Sequence, residues 1–397
     1  MIFMLREFLA PVIATLTSIF LSISALFGAT EAPVRTPDSF ENVKNVIYLI
    51  GDGMGPLHLE MAKDLRDITL TMDTFEIEGR SQTRSASSSV TDSAAGATAL
   101  ACGVRTFNGA LGVYTYDILH VESNPKSLTE LCIEKGMKTG IVTTDSTSGA
   151  TPSGFSVHTD NRNNTKDIDK QQMNSDIDLI WGGTSDYITK EKCEENGFTF
   201  VKTYSEMMAL EEGSRSFAQF DNSTWTTEQA DAETPTLSQM AEKAIDLLDD
   251  TDEGFFIMIE GAHIDKHSHN NEAEKMAEAL EEFDETIAYA LEYAKLDGET
   301  LVVVTADHET GGIVLNDDGT YSYTRGSHSA ADVPVFVYGS ETFIENGETV
   351  KNIQIPERIA YSLGFTAEEF PFEVFNPWVG TFNDYTKNLN TENILKK

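Results

Sequence analysis

The chain has 397 residues, enough for one large domain or two of ordinary size. Apolar residues make up 40% and aromatics 9%, which excludes a disordered or collagen-like chain, and three cysteines are too few for a disulfide scaffold. Acidic residues number 65 against 28 basic ones, a net charge of −37, and no Lys/Arg footprint stands out to receive a DNA or RNA backbone.

Arg6 precedes a run from Phe8 to Thr30 that carries no charge. Residues 1–30 read as a signal peptide, with Ala25 or Ala29 as cleavage points. The run approaches the ~20 residues of a membrane anchor, but Thr15, Thr17, Ser18, Ser22 and Ser24 dilute its hydrophobicity. The mature chain is expected in a periplasm or secreted, free of the membrane, with residues 40–397 as a single catalytic α/β domain.

The first apolar run is Val46–Ile50 (VIYLI). A helical pattern at Ser127–Lys135 leads to a second run, Gly140–Thr143, and another at Thr236–Leu248 leads to Phe255–Ile259 (FFIMI). Ala273–Ala294 is helical, Leu301–Thr305 (LVVVT) is the fourth run, and Val333–Tyr338 is a last strand. Unbroken apolar runs alternating with helices predict an α/β fold: a largely parallel central sheet sandwiched between helix layers. The polar segment around 163–233 is expected to be an insert passing over the top of the sheet.

Acids and histidines follow these runs. Asp52 lies between glycines after VIYLI; Glu260, Asp265, Lys266 and His269 follow FFIMI; Asp307 and His308 follow LVVVT. In an open parallel sheet the carboxyl ends of the strands collect functional groups. Carboxylates crowded there would repel one another unless protonated or bridged by cations. A mixed carboxylate–imidazole set suits zinc, and an oxygen-only subset suits magnesium. Taken singly, His328 reads as a loop histidine and the Asp265–His269 spacing as an ordinary helical pair. Asp92 is a candidate cap for a small-residue helix that opens at Ser93, which reads either as a capping residue or as a group at an anion-favouring helix terminus. Arg162, eleven residues after Thr151, has the fork that suits phosphate.

Six stretches then resemble, in order, the motifs of the alkaline phosphatase family: Gly51–Gly55 (GDGMG), Val90–Ala99, Ala150–Pro152, Glu260–Asp265, Thr305–His308 and Gly326–Ser329. The resemblance runs from about Val46 to Gly339. It implies an exported phosphomonoesterase that works through a phosphoserine, with two zinc ions (Zn2+) and one magnesium (Mg2+). On that resemblance Ser93 is the nucleophile, Asp265, His269 and His328 hold one zinc, and Asp52, Asp307 and His308 hold the other. Asp52 would bridge to a magnesium also held by Thr151 and Glu260. Arg162 would clamp two phosphate oxygens, and Lys266 would reach phosphate through water. The implied partners are phosphate monoesters and inorganic phosphate, with a homodimer as the usual assembly. Two departures stand out. Gly149 occupies a position where members often carry Asp or His, and Gly311–Arg325 is short, which reduces the crown region. A phosphodiesterase or sulfatase-like hydrolase on the same metals, or a non-catalytic exported metal-binding protein, are the competing readings.

Overall fold

The computed structural model describes residues 42–117, 120–221 and 233–370. The expected signal peptide, residues 1–30, lies outside them. Ten strands form the main sheet: β1 (Asn45–Gly51), β2 (Ile77–Gln82), β5 (Lys138–Ser146), β6 (Leu179–Gly183), β7 (Thr199–Val201), β8 (Ser216–Phe220), β9 (Phe255–Gly261), β10 (Thr300–Thr305), β15 (Val333–Tyr338) and β16 (Thr349–Lys351). Three short ribbons pair β3 (Tyr114–Asp117) with β4 (His120–Ser123), β11 (Glu309–Thr310) with β14 (His328–Ser329), and β12 (Val314–Leu315) with β13 (Tyr321–Ser322). The sheet order is β16-β2-β15-β10-β1-β9-β5-β6-β8-β7. Only β15 runs against its neighbours, β10 and β2; the other pairings are parallel.

The apolar runs become central strands because both faces of the sheet are covered. Every residue of β1, β9 and β10 is buried. Alternate side chains go to opposite layers. Ile47, Leu49, Ile257, Ile259, Val302 and Val304 join a core with Ala277, Leu280, Ile287 and Ala294 of the Ala273–Asp297 helix. Tyr48 and Phe256 instead meet Phe155, with ring centroids 5.9 and 6.3 Å apart.

The segment 163–233 departs from expectation. Among its described residues, β6, β7 and β8 extend the sheet beside β5 rather than passing over it. LIWGG and SFAQF are fully buried, yet their glycines and polar residues interrupt the apolar signal. Trp181 Nε1 donates to Ser216 Oγ at 2.9 Å, so one polar interruption satisfies the indole of the neighbouring strand. Cys102, Cys132 and Cys193 are buried free thiols. Among the described residues no helix is long and apolar enough to cross a membrane.

Candidate active site

The carboxyl ends of β10, β1, β9 and β5 lie side by side, because these parallel strands are consecutive in the sheet. Ile50 is in register with both Glu260 and Thr305, and Thr143 with Glu260. Asp52 leaves β1, the helix His263–His269 carries Asp265, Lys266 and His269 away from β9, and Asp307 and His308 leave β10. The helix Ala150–Gly154, after β5, contributes Thr151. The Ser93–Cys102 helix is buried at all ten positions, and Gly96 brings it against Asp307: a Cβ there would lie 3.0 Å from the Asp307 Cβ. Gly53 turns with φ 72°, and its N–H donates to Asp307 Oδ1 at 3.1 Å.

Two ligand-like groups result. In one, Asp52, Asp307 and His308 present atoms within 4.8 Å of one another; in the other, Asp265, His308 and His328 do so. His308 Nε2 lies 3.2 Å from Asp307 Oδ2, 3.5 Å from Asp52 Oδ1 and 3.1 Å from Ser93 Oγ. The Ser93–His308 contact looks like a nucleophile–base pair, but a serine-hydrolase triad needs its carboxylate on the other ring nitrogen. Here Nδ1 faces the Thr310 hydroxyl at 3.3 Å, while both carboxylates crowd Nε2. The arrangement is therefore not that of a proton relay, and its donor atoms could hold a cation.

The second group is completed by His269, whose Nε2 is 3.3 Å from Asp265 Oδ2 and 3.1 Å from His328 Nε2. His269 Nδ1 meets the Gly326 carbonyl and His328 Nδ1 the Thr91 carbonyl, both at 3.0 Å. Carbonyls only accept, so each Nδ1 carries a proton and each Nε2 faces inward, toward Asp265 and the other ring. Thr310 donates its hydroxyl to Asp265 Oδ1.

Buried charge sets the electrostatics. Burial, then the neighbouring carboxylates Asp307, Asp265 and Glu260, raise the Asp52 carboxyl well above its ordinary value. Burial and Asp145 push Glu260 up to about 8. Burial also acts to raise Asp265, but the His269 hydrogen bond and the nearby His308 and Thr310 hold it well below the usual range. His269 is pushed up to about 9 by Asp265, and burial lowers His308. Asp52 Oδ1, Asp307 Oδ2, Glu260 Oε1 and Thr151 Oγ1 are buried without a hydrogen bond, although buried polar atoms are normally paired.

Both cationic side chains are anchored. Arg162 Nη1 donates to Asp92 Oδ2 at 3.3 Å, and Lys266 Nζ donates to Asp145 Oδ1 at 2.5 Å. Asp92 was visible in the sequence as a helix cap, and its Oδ1 does accept from Ala95 N at 3.0 Å. Its hold on Arg162, and the contributions of Asp145, Thr310 and the Gly326 and Thr91 carbonyls, left no sequence signal.

Comparison with known proteins agrees with this architecture. The family model described as alkaline phosphatase matches residues 43–337. Alkaline phosphatase 4 of Bacillus subtilis is 30% identical over 364 residues, covering 86% of this chain and 77% of the relative. The solved alkaline phosphatase of the Antarctic bacterium TAB5 is 32% identical with a TM-score of 0.70, over 82% of this chain and 99% of that one. A variant of the same enzyme, solved with magnesium in its M3 site, gives 33% and 0.71 over the same shares. The sheet, its order of strand ends and the matched sequence together make this chain a phosphatase of the alkaline phosphatase family.

Proposed function

We propose that this chain hydrolyses phosphate monoesters through a phosphoserine at Ser93, with two zinc ions and one magnesium. The observation that carries the reading is the set of orphaned buried oxygens beside imidazole Nε2 atoms that face inward. Such atoms need protons or cations between them, and divalent cations supply the charge that so many carboxylates call for. Asp265, His269 and His328 would hold one zinc, and Asp52, Asp307 and His308 the other, a donor set that suits zinc. Asp52, Thr151 and Glu260 offer only oxygen, which suits magnesium. When bound, such ions lower the pKa of hydroxyl groups and neutralise charge on leaving oxygens.

Charge supports the same reading. Asp52, Asp92, Asp145, Glu260, Asp265 and Asp307 share the site with Arg162 and Lys266, which leaves four negative charges. A phosphate dianion would be repelled. Three divalent cations turn that into two positive charges, and the acidic surface is screened beyond ~8 Å at physiological salt.

The chain's own residues then act as follows. Ser93 Oγ, its proton lost to solvent, attacks phosphorus; the ester P–O bond breaks and the alcohol leaves after regaining a proton. Water attacks the phosphoserine, the Oγ–P bond breaks, and inorganic phosphate departs as Ser93 recovers its proton. Arg162 grips two oxygens of the group in transfer, and Lys266 supports a third through water. Export rests on the uncharged run from Phe8 to Thr30.

The test compares an aryl phosphate, its diester and an aryl sulfate on zinc- and magnesium-loaded protein. The monoester should turn over fastest. A preference for diester or sulfate, or bound metal without turnover, would favour the competing readings.

A further inference from the structure

Asp145 is the penultimate residue of β5, two positions before the turn that leads to Thr151. Its backbone N–H donates at 2.8 Å to Thr143 Oγ1, the same hydroxyl that donates to Glu260 Oε2. Its Oδ1 accepts from Lys266 Nζ. Its Oδ2 lies against Gly149: a Cβ built at 149 would stand 2.3 Å from Oδ2 and 2.8 Å from Cγ. The dihedrals do not demand glycine there, since φ −57° and ψ 164° suit any residue, and Gly149 caps the helix, a position that favours Asp. The Asp145 carboxylate fills most of the volume a side chain at 149 would need, and the Ser146 carbonyl oxygen, 2.9 Å from that Cβ, borders the rest.

That volume adjoins the oxygen-only set. Thr151 is two residues past Gly149, and Glu260 is paired in register with Thr143 and Ile50, the strand that delivers Asp52. The Asp145 charge acts on both Asp52 and Glu260. Magnesium keeps several of its waters when bound, and those waters need acceptors beyond the direct ligands.

We infer that Asp145 is the positioning residue of the magnesium site and of Lys266, its carboxylate doing from β5 what a side chain at 149 would do from the helix. One oxygen holds the ammonium; the other accepts from the waters of the cation held by Asp52, Thr151 and Glu260. The inference rests on the magnesium reading of those three residues given above.

A carboxylate at 145 and a carboxylate at 149 compete for one space, and this gives the test. Asp145→Ala, Asp145→Asn, Gly149→Asp and the double variant Asp145→Ala/Gly149→Asp are prepared loaded with zinc and free of magnesium. Magnesium is titrated calorimetrically and through the thermal midpoint, and the inhibition constant of inorganic phosphate is measured at saturating magnesium. Asp145→Ala and the isosteric Asp145→Asn should each weaken magnesium about 10–100-fold, the usual cost of losing an outer-shell partner. They should also weaken phosphate more than they lower kcat. Gly149→Asp alone should lower the thermal midpoint and weaken magnesium, because it collides with Asp145. The double variant should bind magnesium better than either single Ala or Asp variant. Magnesium binding unchanged in both Asp145 variants, or a double variant no better than Asp145→Ala, would overturn the inference while leaving the magnesium site intact. A parent protein that binds no magnesium would overturn both the inference and the reading beneath it.

Discussion

Asp92 ties Ser93, the proposed nucleophile, to Arg162, the proposed phosphate clamp. Its Oδ1 caps the helix that begins at Ser93, and its Oδ2 accepts from Gly109 N at 2.9 Å and from Arg162 Nη1 at 3.3 Å. The Arg162 backbone N–H in turn donates to Gly109 O at 2.7 Å. One carboxylate therefore fixes where the hydroxyl starts and where the guanidinium waits.

The two roles separate by substitution. Asp92→Ala should lose about 1 kcal/mol of stability with the cap and should also release Arg162. Asp92→Ser retains a capping oxygen, so its thermal midpoint should stay near the parent's. Its inhibition constant for inorganic phosphate should still rise about tenfold, the equivalent of ~1.4 kcal/mol. Equal phosphate affinity in Asp92→Ser and parent would show that Asp92 does not position the clamp.

Ser93 is 5% exposed and its hydroxyl points at the cluster of Asp52, Asp307 and His308. Removing the nucleophile of a covalent mechanism costs roughly 10³-fold or more in kcat. Ser93→Ala should therefore be folded and nearly inactive on an aryl phosphate, with unaltered metal content. A rate within a few-fold of the parent would mean that water attacks the ester directly.

His269 Nε2 and His328 Nε2 meet at 3.1 Å with the Asp265 carboxylate beside them, so a proton occupies in the metal-free protein the place proposed for zinc. His328→Ala should lower the zinc found per chain by metal analysis, and turnover should fall with it. Full zinc occupancy in that variant would remove His328 from the ligand set.

The metal-free protein should become less stable between pH 6.5 and 8. In that interval Glu260, raised by burial and Asp145 to about 8, and His269, raised by Asp265 to about 9 from 6.5, still hold protons in the folded state that the unfolded chain has given up. Both hold their protons more tightly folded than unfolded, so their stabilising contribution is complete at lower pH and fades as pH climbs. His58, lowered by burial to about 4, and His308, also lowered by burial, act with the opposite sign but below pH 6.5. The thermal midpoint of chelated protein should fall across this interval, and zinc with magnesium should flatten the slope by displacing those protons. A flat or rising midpoint without metal would contradict the buried-carboxylate account.

The central strands were legible because β1, β9 and β10 are buried on both faces and so carry unbroken apolar runs. The half-exposed β2 (IEGRSQ) and the three-residue β7 and β16 bury too little to leave such a run. The gathering of Asp52, Glu260, Asp265, Asp307 and His308 was legible for a topological reason: each follows or ends a central parallel strand. The pairings Asp92–Arg162 and Asp145–Lys266 join residues 70 and 121 positions apart, and no local pattern encodes them. Gly149 read as a missing side chain; in three dimensions its space is already filled.

The most direct measurement is acid quenching of the protein incubated with inorganic phosphate, followed by peptide mass analysis, with and without prior chelation. Metal-loaded protein should carry one phosphoryl group on the peptide containing Ser93, and chelated protein none. An active, metal-loaded enzyme whose Ser93 is never phosphorylated, or phosphorylation that survives exhaustive chelation, would contradict the account.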